Sequence, residues 1–148
     1  LIDIGIKDIV TISKSGTVEV SDFMKIEKFS HVMHITTKGA GDIEEDKDGF
    51  DALAACLPAG TVSGAPKIRA MEIIEDLEDF KRGIYSGAVG FFSYGGGMEM
   101  AIAIRTVILQ GKKAYLQAGA GIVYDSVPEK EFEEVQNKLM ALKEALRW

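Results

Sequence analysis

Between Gly83 and Gly121 glycine cuts the chain into short apolar runs. β-Branched and aromatic residues fill the runs, while Gly95-Gly96-Gly97 and Gln110-Gly111 supply turns. Short runs of this composition, closed by tight glycine turns, read as strands joined by hairpins. The pattern predicts three strands over residues 85–94, 98–109 and 113–117, connected as an antiparallel meander. Any fold for this chain must accommodate that meander.

The flanking segments supply helices and a further strand-rich stretch. Ala70, Ile73, Ile74, Leu77 and Phe80 recur at helical spacing, with Pro66 placed as a first helical residue and Gly83 beyond the end. Residues 50–57 read as a short helix, and the last helix runs from about 128 to 146. Residues 18–35 are rich in β-branched and aromatic residues, and "HVMHITT" favours a strand. Residues 1–12 are apolar and fit either a strand or a short helix. Residues 13–16 form a turn, and residues 39–49 and 58–67 are loops. With 148 residues and neither repeat nor linker, one domain with a real hydrophobic core is expected.

The formal net charge of −6 argues against nucleic acid or an anionic membrane surface as partner. No apolar run is long enough to span a bilayer. The single cysteine, Cys56, cannot form an intrachain disulfide, so a reducing, cytoplasmic setting fits. An anionic ligand would need positive charge concentrated locally. The chain opens on Leu1 in full apolar stride, as a trimmed domain would.

The stretch "QAGAGIVYDSVPEKEFEEVQNK" (117–138) joins a glycine-rich turn to the carboxylate-rich last helix. Advancing about 100° per residue puts Phe132, Val135, Leu139, Leu142 and Leu146 on one stripe, expected to face the core. Glu131, Glu134 and Lys138 share a second face at the border of that stripe. Spacing alone favours a solvated i,i+4 Glu–Lys pair. The alternative is a pocket wall: Glu134 as a ligand for a hard cation, Gly119 and Gly121 admitting an anion to backbone N–H groups, and Lys138 adding charge.

Other polar candidates are scattered. His34, on a strand, shares a face with Val32 and Thr36 while His31 points away. A lone strand histidine is usually structural, although its pKa near neutrality suits a general base. Arg105, in "AIAIRTVIL", alternates onto the face of Ala101, Ala103 and Val107, as an edge residue or an anion clamp. Tyr85 begins its strand as a core residue or a phenolic donor. "GTVSGAPK" lacks P-loop spacing, and in "GAGIVY" Tyr124 stands where a dinucleotide fingerprint needs glycine. Ser63 has no nucleophile-elbow pattern around it.

Five blocks carry a resemblance: "FSHVMHI", "LPAGTVSGAPKIRAMEIIEDLE", "RGIYSGAVGF", "AIAIRT" and the 117–138 stretch. In this order they resemble the C-terminal part of the chorismate-utilising enzymes, most closely the large subunit of anthranilate synthase. The resemblance covers the whole chain, residues 1–148, but only roughly the second half of a family catalytic domain. It implies an α+β fold of antiparallel sheets with outer helices, and a chorismate and Mg2+ site in a cleft. It further implies a lyase of tryptophan biosynthesis that releases anthranilate and pyruvate, with ammonia from a glutamine amidotransferase partner. By motif, His34 matches the active-site histidine and Thr61 a residue lining the ring pocket. Tyr85 and Arg105 match the pair holding the enolpyruvyl carboxylate, and Gly119, Gly121 and Lys138 the groups holding the ring carboxylate. Glu134 matches a magnesium ligand and Glu131 a supporting carboxylate. The missing N-terminal part of the same domain would supply a further metal-binding glutamate. The match departs from the family pattern at Ile6, Lys7, Val10 and Thr11. Rival readings are an aminodeoxychorismate synthase component and a non-catalytic binding or assembly fragment.

Overall fold

A computed structural model describes residues 2–28 and 33–146 of the chain. The order of elements is α1 (Ile2–Val10), β1 (Glu19–Lys28), β2 (Met33–Ala40), α2 (Gly49–Cys56) and α3 (Lys67–Leu77). Then follow β3 (Ala88–Phe92), β4 (Met98–Ile102), β5 (Val107–Gln110), β6 (Lys113–Leu116) and α4 (Pro128–Ala145). The fold is α+β, with antiparallel β1–β2, β3–β4 and β5–β6 pairs.

The opening segment resolves as a helix. Its apolar residues allow either reading in isolation, and packing decides: α1 lies against α2 and β2. Side chains then lock the arrangement. The Lys67 ammonium at the start of α3 meets the Asp8 carboxylate on α1 at 2.9 Å, with both largely shielded from solvent. α2 begins with a capping box, in which the Asp48 carboxylate accepts from the backbone N–H of Phe50 and Asp51, and the Asp51 side chain accepts from the Asp48 backbone. Phe50 of α2 stacks on Phe92 of β3, ring centroids 4.0 Å apart. The β1–β2 register shifts between Ser21 and Lys25. Asp22 and Met24 there adopt positive φ, 45° and 53°.

The structure alters two sequence expectations. α3 ends at Leu77, so Phe80 lies beyond the helix and Pro66 occupies the N-cap rather than the first helical position. The single strand expected over residues 98–109 is broken into β4 and β5. The Ala103 N–H bonds to the Gly87 carbonyl at 2.9 Å and the Ile104 N–H turns back to Ile102 at 2.8 Å. These bonds bend the backbone, and Arg105 sits in the bend at φ 51°, a left-handed conformation rare for a non-glycine residue. Arg105 therefore lies off the strand and does not share a face with Ala101 and Ala103. The meander becomes two separate hairpins.

The expected core is also absent from the described residues. Ala103, at 2% exposure, is the buried hydrophobic residue there, and Ser13 and Ser86 are the buried polar ones. No residue of α4 is buried, and Phe132 on its apolar stripe is 66% exposed. Phe23 and Ile26 on β1, Ile35 on β2, and Val89 and Phe91 on β3 are likewise open. Patterning makes these faces apolar, but none of the described residues buries them.

Candidate active site

Four of the residues singled out by the sequence converge where the 117–127 segment meets α4. The Lys138 ammonium donates to the Gly119 carbonyl at 2.9 Å and pairs with the Glu134 carboxylate, one helical turn earlier, at 2.6 Å. On its other side Gly119 faces Tyr85: a Cβ added to Gly119 would lie 3.2 Å from the phenolic oxygen. The missing side chain thus allows the phenol and the ammonium to bracket one peptide unit. The position has ordinary backbone angles, so what glycine supplies here is room: a Cβ would oblige the Tyr85 hydroxyl to give by a few tenths of an ångström. Helix geometry places Lys138 and Glu134 together, and the irregular segment before Pro128 brings Gly119 to them. Pro128 opens α4 at its first turn after Val127, while the Ser126 hydroxyl accepts from the Val123 N–H at 3.0 Å.

The other sequence candidates lie around this cluster. Glu131 is half-buried on α4, one turn before Glu134. Gly121 is exposed, with open space where a Cβ would be. Thr61 is exposed in the loop before α3. Arg105 is exposed in the bend between β4 and β5. The His34 backbone belongs to β2 and registers with Glu27 of β1. Its side chain, His31 and Val32 lie outside the described residues.

Burial pushes the Tyr85 hydroxyl above its ordinary value of 10.0, with the Arg82 charge and the Gly119 backbone opposing. The phenol thus remains a neutral donor well into alkaline solution. The Arg82 guanidinium lies 5.5 Å from the centre of the Tyr85 ring, a cation–π distance. It was passed over in the sequence, where its only signal is a Glu78 four residues earlier.

The two α4 carboxylates suit a hard cation. Magnesium takes one or two protein carboxylates and completes its shell with water and substrate oxygens. Glu134 and Glu131 offer such oxygens on one helix face, and Glu134 at 52% exposure is open to solvent. The donor chemistry therefore fits magnesium.

The fold is thus a set of antiparallel hairpins with helices, in which the Lys138 ammonium stands between the Gly119 carbonyl and the Glu134 carboxylate. The chain belongs to the chorismate binding enzyme family, whose pattern residues 1–144 match. Among its relatives is anthranilate synthase component 1 of Acetivibrio thermocellus, 59% identical over 146 residues, covering 99% of this chain and 30% of the relative. The Aquifex aeolicus counterpart is 55% identical over the same length, again 99% and 30%. The crystal structure of anthranilate synthase component I from Streptococcus pneumoniae superposes with a TM-score of 0.88 at 53% identity, covering 93% of this chain and 32% of that one. A Bacillus anthracis protein described as a 2,3-dihydroxybenzoate-specific isochorismate synthase superposes equally well, TM-score 0.89, at 25% identity. It covers 98% of this chain and 38% of that one. The chain spans about three tenths of the length of the curated relatives it matches. Among the described residues no helix is long and apolar enough to cross a membrane.

Proposed function

We propose that this chain carries part of the catalytic site of an anthranilate synthase component 1, converting chorismate to anthranilate and pyruvate. The observation that carries the reading is the bracket of Gly119 by Lys138 and Tyr85, with Glu134 alongside. A chain of net charge −6 has concentrated a cation, a neutral phenol and a bare peptide at one point. Chorismate is a dianion, so those groups can hold its carboxylates in fixed positions. Similarity favours anthranilate over other products: 53–59% identity to anthranilate synthases against 25% to the isochorismate synthase, on a fold common to both.

In this reading Lys138 binds the ring carboxylate, with the backbone at Gly119 and Gly121 lining the same recess. Tyr85 donates its hydroxyl to the enolpyruvyl carboxylate, and Arg105 clamps that group through its planar fork. Thr61 lines the ring. Glu134 and Glu131 would hold magnesium, which when bound polarises the ring carboxylate and eases loss of the ring hydroxyl. His34 is assigned the proton transfers of the two eliminations. Ammonia comes from a glutamine amidotransferase subunit, and the rest of the synthase polypeptide covers the open apolar faces.

A chimera tests this. The matching segment of the Acetivibrio thermocellus relative is replaced by this chain and supplied with chorismate, magnesium and ammonia. A fluorescent aromatic amine, formed without an added lyase, is the expected product. A folded chimera that forms no such amine, or releases a non-aromatic amino-cyclohexadiene intermediate needing a lyase, would overturn the assignment.

A further inference from the structure

Arg82 is tied to four residues at once. Its Nε and Nη2 donate to the two carboxylate oxygens of Glu78, at 2.9 and 2.6 Å. Its Nη1 donates to the Val62 carbonyl at 2.6 Å and to the Ser86 hydroxyl at 3.1 Å. The guanidinium also lies beside the Tyr85 ring, 5.5 Å from its centre. The pair with Glu78 is no ordinary helix-face ion pair, because Glu78 is the C-cap of α3 and Arg82 lies past the helix end.

Two of the partners of Arg82 adjoin a residue assigned to the substrate. Val62 follows Thr61. Ser86 follows Tyr85 and is 9% exposed, at φ 71°. The Ser86 N–H bonds to the Ala103 carbonyl at 3.1 Å, and the Ala103 N–H returns to Gly87. Ala103, at 2% exposure, precedes Arg105 by two residues. One guanidinium thus ties the Thr61 loop to the Tyr85–Ser86 turn, and the Ser86 backbone carries the link on to the Ala103–Arg105 bend.

We infer that Arg82 is a positioning residue, whose fork holds the Thr61 loop, Tyr85 and the Arg105 bend at the separation the substrate requires. This rests on the function proposed above. Arginine offers five donors in a rigid plane, of which four are used here, and lysine cannot reproduce that geometry. The donors of Arg82 are spent on its neighbours, so its loss would act through them.

The test uses the chimera described above. R82K is expected to raise KM for chorismate about tenfold or more while the melting temperature stays near the parent's. Combined with Y85F, it should cost less than the sum of the two single variants, because part of its effect runs through the same phenol. S86A removes one of the fork's acceptors and should shift KM in the same direction by a smaller factor, which reads the role even if R82K unfolds. Glu78 is held below its ordinary value of 4.5, chiefly by its hydrogen bonds to Arg82. A carboxylate with a depressed folded pKa stabilises above its unfolded value and loses that contribution as pH falls through the folded one. Clamp-dependent affinity should therefore hold at neutral pH and fail only in acid below 4.5. Parental KM in R82K and S86A, or full additivity with Y85F, would overturn the inference. An inactive parent chimera would instead overturn the functional reading beneath it.

Discussion

Replacing Lys138 by Met in the chimera is expected to cut kcat/KM for chorismate about a hundredfold and barely move the melting temperature. The two halves of that statement have different origins. Structurally, Lys138 makes one hydrogen bond to Gly119 and one ion pair with a half-exposed Glu134. Exposed pairs of this kind contribute only about 0–1 kcal/mol to stability. Methionine keeps most of the apolar stem, so packing is preserved. For an anionic ligand the accounting differs. A hydrogen bond to a charged group contributes about 1.5–3 kcal/mol, or roughly 10- to 150-fold in affinity. The variant also leaves the Glu134 carboxylate unbalanced beside the substrate, adding repulsion. Steady-state kinetics over a magnesium titration read both effects. Parental kinetics in the variant would remove Lys138 from the site.

The largest expected loss of stability comes from Gly90→Ala. Gly90 sits mid-strand in β3, in register with Met100 of β4. A Cβ there would overlap the Glu99 carbonyl oxygen and lie 2.7 Å from Met100 Sδ and 2.8 Å from its Cα. Two of these three neighbours are backbone, which cannot swing aside as a side-chain tip can. Relief requires the hairpin strands to part, and overpacking of this sort costs about 1–3 kcal/mol, at the upper end where backbone must move. Because β3 and β4 lead directly into the Ser86–Ala103 bonds, the displacement would reach Tyr85 and Arg105 as well. Gly95→Ala is the control: the nearest atom to its Cβ is Ser93 Oγ at 4.0 Å, and its melting temperature should match the parent's. Chemical denaturation of the two variants side by side distinguishes overlap from a general penalty for losing glycine.

Those two residues also mark how far a sequence can be read. The last helix was legible almost to the residue, ending at Ala145 rather than 146, because amphipathic period and an opening proline are local signals. The same period set Glu134 and Lys138 on one face, yet it carried nothing about what would stand opposite. Gly119 and Tyr85 meet them only through tertiary geometry. The break at Ala103–Thr106 was illegible for a different reason. "AIAIRT" alternates like a strand, yet the Ile104 N–H turns back to Ile102 just where Ala103 makes its last bonds to Ser86 and Gly87, a partnership set far away in the chain. Helix α3 stopped early because Glu78 adopts an extended backbone and turns its carboxylate to Arg82, a choice that apolar spacing at Phe80 does not reveal. Apolar patterning marked faces of β1, β3 and α4 for burial, whereas among the described residues those faces stay exposed.

The left-handed backbone at four non-glycine positions has a bearing on how such a protein could be improved. Asp22, Met24, Ser86 and Arg105 each bear a conformation that costs an L-residue roughly 1–2 kcal/mol and glycine almost nothing. At Asp22 a glycine would forfeit only a solvent-facing ion pair with Lys38. At Arg105 it would relax the chain and delete the guanidinium in the same step. A directed-evolution campaign rewarding heat resistance alone would accept both changes with equal readiness and, on the role proposed for Arg105, would harvest robust but idle variants unless turnover were selected alongside.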